Sequence, residues 1–369
     1  MRRPPPAPPL EFLDATHVRA GRRTLLYCAG CNYLGLSFDA RLRRSMSRAA
    51  LAGSLQPGAS RGTTGEQAAY RRLERRLARF FRAESALFTA VGYLAPLAVG
   101  QGLRELFTHV LLDQRAHASV ADGVQLGGRP VRRFAASDPG ALARALRALP
   151  REARPLVATD GTWGTRGGFN PVDAYLDLLP DRGWLLVDDA HGAGTVGPGG
   201  RGWCAALGLQ DPRLVQTVSL AKAFGVQGGA VLGGRAAVNQ IRHHAASVMG
   251  TTSPLLPTVA GVEAALRIVA GRRSPVGRLQ ANLRLFQDLL PDHPRLLRDA
   301  RSPILAIEPS DAREGARLYQ ALLSAGVHPP RIRYLDGPAS GFFRFAISAR
   351  HTSGDLRRLA DAVGQALAR

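Results

Sequence analysis

Trp184-Leu185-Leu186-Val187-Asp188-Asp189-Ala190-His191-Gly192 is the stretch on which the reading of the chain turns. Four apolar residues in a row suit a strand buried on both faces, as in a parallel sheet covered by helices on either side. The run ends in two carboxylates and a histidine, then passes into the glycine-rich Gly192-Ala193-Gly194-Thr195-Val196-Gly197-Pro198-Gly199-Gly200-Arg201-Gly202. In such sheets ligands gather at the carboxyl ends of strands. Side chains alternate along a strand, so Asp188 and Asp189 point to opposite faces if it continues, and one of the two is expected to be structural.

The pattern repeats on both sides of this stretch. Short apolar runs at 85–89, 109–113, 130–134, 155–159, 184–188, 214–218 and 229–233 alternate with helical or glycine-rich segments. That is the signature of a mainly parallel, seven-stranded α/β sheet with helices on both faces. Asp160 stands at the end of one run, and Ser219 and Lys222 follow another. Upstream, Gln56–Gly65 is a glycine- and hydroxyl-rich loop opening a helix at 66–82, with Tyr70, Leu73, Leu77 and Phe80 on one face. Residues 24–35 read as a short strand leading into a turn. Beyond residue 250, long helical segments over 255–289 break near Gly271 and Pro275. Strands at 303–308, 327–333 and 342–348 and a helix at 353–368 then form a smaller α+β domain. The expected division is an N-terminal arm and small segment at 1–55, a large domain at 56–250, and a C-terminal domain with its linking helix at 251–369. Met1–Pro9 is basic and proline-rich, and reads as an extended arm without the apolar segment of an export signal.

Composition narrows the classes. With 45% hydrophobic and 21% charged residues the chain suits a globular protein, and it holds no run of about 18 apolar residues to cross a membrane. Cys28, Cys31 and Cys204 are an odd number without an export signal, which points to a reducing, cytoplasmic setting. Cys28-x-x-Cys31 lacks the second ligand pair of a zinc site, and no metal is expected. The net charge of +21 invites nucleic acid, but the arginines are scattered through helices and aromatics are only 6%, without a stacking platform. Among 49 basic residues, Lys222 is the one lysine. Arginine stays protonated and cannot act as an amine nucleophile, so a Schiff base is the simplest chemistry that only this residue can serve.

The block from Gly183 to Gly202, followed by Lys222, resembles the α-oxoamine synthase family of fold-type I pyridoxal-phosphate (PLP) enzymes, and the likeness runs from about Tyr27 to Thr352. It implies that Lys222 holds the cofactor as a Schiff base, Asp188 pairs with the pyridine nitrogen, His191 bonds the phenolic oxygen and His117 stacks on the ring. It also implies that Gly92, Tyr93 and Ser219 hold the phosphate. Thr252 would add a phosphate contact from the partner subunit, making the active unit a homodimer, and Arg344 would grip an amino-acid carboxylate. The chain departs from the family at Asp160-Gly161-Thr162-Trp163-Gly164-Thr165-Arg166-Gly167-Gly168. There Gly164 replaces a serine, and Arg166 and Gly168 replace carboxylates. Cys31 and Pro96 each stand where the family has asparagine.

The activity this resemblance implies is decarboxylative condensation of an amino acid with an acyl thioester, carried by coenzyme A or an acyl carrier protein, to an α-aminoketone. The catalytic set would be Lys222, His117, Asp188, His191 and Arg344. An aminotransferase or decarboxylase on the same fold is the alternative, since a fold does not fix the reaction. A basic nucleic-acid-binding protein is a third reading from another class.

Overall fold

The computed structural model describes residues 9–290, 292–332 and 341–367. Most of Met1–Pro9, the end of the 327–333 strand and the last residue of the 353–368 helix lie outside them. The N-terminal segment forms a small antiparallel sheet of β1 (Glu11–Phe12), β2 (His17–Ala20) and β3 (Arg23–Leu26). Only the last was expected, because β3 carries the apolar pair Leu25-Leu26 whereas β1 and β2 bury only Val18 and show no apolar run.

The central sheet has seven strands: β4 (Ser85–Thr89), β5 (His109–Asp113), β6 (Val131–Phe134), β7 (Pro155–Asp160), β8 (Trp184–Asp188), β9 (Leu214–Ser219) and β10 (Gly229–Gly233). They lie in the order β4-β10-β9-β8-β7-β5-β6. Strands β6, β5, β7, β8 and β9 pair in parallel, while β10 runs antiparallel to both neighbours. Alternation assigns the two faces. Ala158, Leu186 and Val215 join Ala95, Val99, Val120 and Ile241 in one core. Val157, Leu185 and Val187 join Leu142, Tyr175 and Trp203 in another. A strand apolar on both sides is thereby buried on both sides, as the uninterrupted runs require.

The helix Ala68–Phe81 matches its sequence pattern, and Leu256–Ala270 and Pro275–Leu289 break where Gly271 and Pro275 stand. Pro275 sits in the first turn behind the Ser274 N-cap, where a missing N–H costs nothing. The C-terminal layer is a four-stranded antiparallel sheet, β11 (Leu296–Arg298), β12 (Ile304–Ile307), β13 (Arg331–Ile332) and β14 (Phe342–Ala346), in the order β11-β12-β14-β13. The N-terminal segment is stitched to this layer. Leu26 N donates to Gly326 O at 2.8 Å, Ala346 N to Cys28 O at 2.9 Å and Ala349 N to Tyr33 O at 2.7 Å. Residues 26–33 are thus tied to the C-terminal layer, and Tyr33 reaches His191, just past the end of β8 in the middle of the central sheet.

Candidate active site

Three adjacent strand ends make the floor. Asp160 is in register with Asp188 on β8, and Asp188 with Thr217 on β9. Asp160, Asp188, Thr217 and Ser219 continue the alternation of Ala158, Leu186 and Val215, so they share one face. Thr217 Oγ1 donates to Asp188 Oδ1 at 2.9 Å. Burial pushes the Asp188 carboxyl above its usual range, while Lys222 and the Thr217 hydroxyl pull it back. Asp189 turns to the other face. It accepts from Trp203 N at 2.5 Å, Gln216 Nε2 at 3.0 Å and Thr162 Oγ1 at 3.2 Å, all within the protein. It is the structural member of the pair.

Lys222 follows β9 in a turn held by Leu220 N to Gly228 O at 2.9 Å and Gly225 N to Lys222 O at 3.1 Å. Leu220, Ala223 and Phe224 are fully buried and anchor that turn. Its Nζ lies 2.8 Å from His191 Nε2. Burial lowers the proton affinity of the amine, favouring its nucleophilic form. His191 is held well below its ordinary pKa, first by burial and then by Lys222. Its Nδ1 lies 2.8 Å from the Tyr33 hydroxyl, which accepts from Arg344 Nη2 at 3.0 Å. With Arg344 donating to its oxygen, Tyr33 can donate to Nδ1, which assigns the remaining ring proton to Nε2, facing Lys222.

Arg344, on β14, is buried and donates to Gly30 O at 2.9 Å, to Cys31 Sγ at 3.5 Å and through Nε to Gly164 O. Among the described residues no carboxylate pairs with it. A buried guanidinium with neutral partners alone is an anion site in waiting.

His117 caps the helix Ala118–Gln125, with Nδ1 2.7 Å from Ser119 Oγ and its backbone N donating to Asp160 Oδ1 at 3.2 Å. Burial lowers its pKa; the charges of Asp188 and Lys222 act on it in opposite directions. Asp160 is pushed well above the carboxylate range by burial and then by Asp188 beside it. Gly92 and Tyr93 open the helix Leu94–Gly102. A Cβ on Gly92 would come within 2.9 Å of Ser219 Oγ, and one on Gly229 within 2.6 Å of Gly92 Cα. The Gly92–Tyr93 turn is therefore pressed against Ser219 and β10, leaving a helix N-terminus and a hydroxyl side by side. Such an arrangement suits a phosphate. The partly exposed Tyr93 meets the His117 ring edge-on at 6.1 Å and bonds Asp122.

The fold thus gathers Lys222, His191, Asp188, His117 and Arg344, with Gly92, Tyr93 and Ser219 adjoining. Thr252 stands apart from that cluster. It is exposed and bridged to Ser60, lining a cleft with Thr89, Ala90 and Leu94. Two residues were not singled out from sequence. Thr217 is hidden inside a strand, and Tyr33 belongs to the Asn32-Tyr33-Leu34-Gly35 turn, where an aromatic reads as core. At the departures, Cys31 meets the Arg344 guanidinium and Arg166 pairs with Glu308. Pro96 lies in the first turn of its helix, where it is tolerated. A Cβ on Gly164 would stand 2.4 Å from His191 Nε2, so the imidazole takes the space a side chain there would need.

The donor set fits PLP: an amine for its carbonyl, a buried carboxylate for the pyridinium, an imidazole for the phenolic oxygen, and a helix N-terminus with a hydroxyl for the phosphate.

The sequence pattern of aminotransferase class I and II matches residues 33–363. The 8-amino-7-oxononanoate synthase of Aromatoleum aromaticum is 34% identical over 95% of this chain and 91% of its own, and that of Thioalkalivibrio sulfidiphilus 32% over 94% and 89%. Among solved structures, the serine palmitoyltransferase of Sphingomonas wittichii superposes with a TM-score of 0.89 at 25% identity, covering 96% of this chain and 90% of the other. A serine palmitoyltransferase solved with PLP scores 0.88 at the same identity and coverage. The chain belongs to the aminotransferase class I and II family, and within it to the α-oxoamine synthases of PLP fold-type I.

Proposed function

We propose that the chain is a PLP-dependent C-acyltransferase resembling 8-amino-7-oxononanoate synthase. It joins an amino acid to an acyl thioester, releasing carbon dioxide and the thiol carrier. The observation that carries this reading is the placement of the sole lysine, Lys222, 2.8 Å from His191 on the face that holds Asp188, with the buried Arg344, which no carboxylate among the described residues pairs with, joined to the same histidine through Tyr33.

PLP, when bound, supplies the carbonyl that Lys222 captures and the electron sink for a carbanion at the amino acid's α-carbon. Asp188 holds the pyridine N–H, and His191 the phenolic oxygen. The Gly92 and Tyr93 amides and Ser219 Oγ take the phosphate, and the exposed Thr252 adds a contact across a homodimer interface. Arg344 binds the amino-acid carboxylate through its outer N–H groups. Lys222, its amine favoured by burial, removes the α-proton and later returns it. His117 covers the ring and faces the thioester carbonyl. The carrier is coenzyme A or an acyl carrier protein, both anionic and suited to a chain of net charge +21.

The test is thiol release by the holoenzyme over panels of amino acids and acyl thioesters. Release dependent on both substrates supports the proposal. Silence across the panels overturns it, and conversion of the cofactor to its pyridoxamine form without thioester would favour the aminotransferase alternative.

A further inference from the structure

The departure at 161–170 is a structured arm. Residues Thr162 and Phe169 form an antiparallel bridge, Trp163 N donates to Gly168 O at 3.0 Å and Asn170 N to Gly161 O at 3.0 Å, which makes a short hairpin. Its base is clamped to the central sheet. Asn170 Nδ2 donates to Asp160 O at 2.8 Å and lies 2.9 Å from Thr159 Oγ1. The hairpin meets the C-terminal layer at four places, from its tip to Phe169 at its base. Gly164 O accepts from Arg344 Nε, and Arg166 forms an ion pair with Glu308. Gly167, at φ +67°, lies so close to β12 that a Cβ would come within 2.1 Å of Ile304 O. Phe169 lies beneath the Arg301 guanidinium at 4.8 Å.

These contacts converge on one side chain. Glu308 directly follows β12, on which Ala306 is the register partner of Arg344. The hairpin therefore holds Arg344 twice: at Nε through Gly164 O, and from behind through Arg166, Glu308 and β12. With Nε and one Nη1 hydrogen committed to the carbonyls of Gly164 and Gly30, the guanidinium plane is fixed before a ligand arrives. The donors left for a carboxylate are the second Nη1 hydrogen and the Nη2 hydrogen that now meets the weak acceptor Cys31 Sγ. A pre-set fork loses less freedom on binding.

We propose that Arg166 is a positioning residue for the amino acid: its pair with Glu308 seats the hairpin and thereby aims Arg344. The proposal rests on Arg344 as the carboxylate anchor. Both partners of the pair are 32% exposed at the side chain, so its strength is modest and weakened by salt.

The experiment uses the holoenzyme and reads KM for each substrate, kcat, and the amino-acid Kd by calorimetry without thioester. Arg166→Ala should raise the amino-acid KM and Kd roughly three- to fivefold, with thioester KM and kcat within about twofold. Arg166→Lys should recover most of the loss, and Arg166→Glu with Glu308→Arg should do better than either reversal alone. Salt at about 0.5 M should weaken amino-acid binding by the wild type more than by Arg166→Ala. Additive effects in the charge-swap cycle, or a change confined to thioester KM, would overturn the proposal. Arg344→Ala separates the two layers. If it leaves amino-acid Kd unchanged, the carboxylate anchor fails. If it weakens binding and the Arg166 variants do not, the anchor stands and the positioning role fails.

Discussion

The floor of the site and its wall are built by different rules. The floor, Asp160, Asp188, Thr217 and Ser219, consists of consecutive strand ends whose facing follows from alternation and register. The wall consists of Tyr33, Gly164 and Arg344, brought together from three segments by backbone carbonyls and one phenol. A floor made by strand periodicity is difficult to alter without losing the sheet. A wall of loop contacts can change with less disturbance, and of the departures expected from the family resemblance, Cys31 and Gly164–Gly168 fall at the wall, while Pro96 lies on the helix behind the Gly92–Tyr93 turn.

The largest effect should come from the floor. Replacing Lys222 with alanine removes the single side-chain amine able to form a Schiff base, and turnover should fall by at least about a thousandfold. Borohydride reduction followed by mass analysis should find the cofactor attached to Lys222 of the wild type and to no side chain of the variant, since no second lysine exists. An adduct on the variant would dissolve the distinction between a fixed floor and an adjustable wall.

Gly164→Ser tests the seam between the two regions. The new Cβ would lie 2.4 Å from His191 Nε2, so the ring must leave Lys222 or the hairpin must lift. Overpacking of this kind costs about 1–3 kcal/mol, measurable by urea unfolding, and kcat should drop with it. An unchanged variant would mean that the wall yields without disturbing the floor.

Asp189 is the floor's structural counterpart, and its signature is pH dependence. Burial pushes its carboxyl up to about 7 against the three hydrogen bonds it accepts. The folded state thus holds a proton that the unfolded chain releases near pH 3.9. The stabilisation is complete below that lower value and is lost as pH rises through about 7. Between pH 5.5 and 8 the wild type should lose about 2 kcal/mol of stability that Asp189→Asn does not lose. Parallel pH profiles for the two proteins would refute this.

The same division explains what could be read from sequence. All seven central strands were visible, most of them as runs such as Leu185–Val187 that are buried on both faces, whereas the edge strand β6 holds the exposed Arg132 and Arg133 between Val131 and Phe134. The lone lysine and the Asp188–His191 block follow strands and inherit their order. Strands β1, β2 and β11 were not visible, being short and holding at most one buried residue each, so that no buried apolar run marks them. Nor was the role of Tyr33, whose hydroxyl contacts lie 158 and 311 residues away in sequence. Local pattern holds no information at that separation. The departures at Gly164 and Arg166 could be seen as departures, but their partners His191 and Glu308 could not be named without the fold.

Tyr33 is the side chain that touches both regions, so Tyr33→Phe offers the finest test. Its hydroxyl accepts from Arg344 in the wall and reaches His191 in the floor. Removing it leaves the shape of the ring intact. Arg344 keeps its carbonyl partners at Gly30 and Gly164, so the amino-acid KM should change little. His191 loses the donor to Nδ1 that sets its tautomer, so the proton at Nε2, the nitrogen that faces Lys222, is no longer fixed. A hydrogen bond of this type is worth about 1–1.5 kcal/mol, so kcat should fall roughly tenfold. The lost orientation of His191 should also shift the pH–kcat profile. If instead the amino-acid KM rises and kcat holds, Tyr33 serves Arg344, and the hydroxyl belongs to the wall alone.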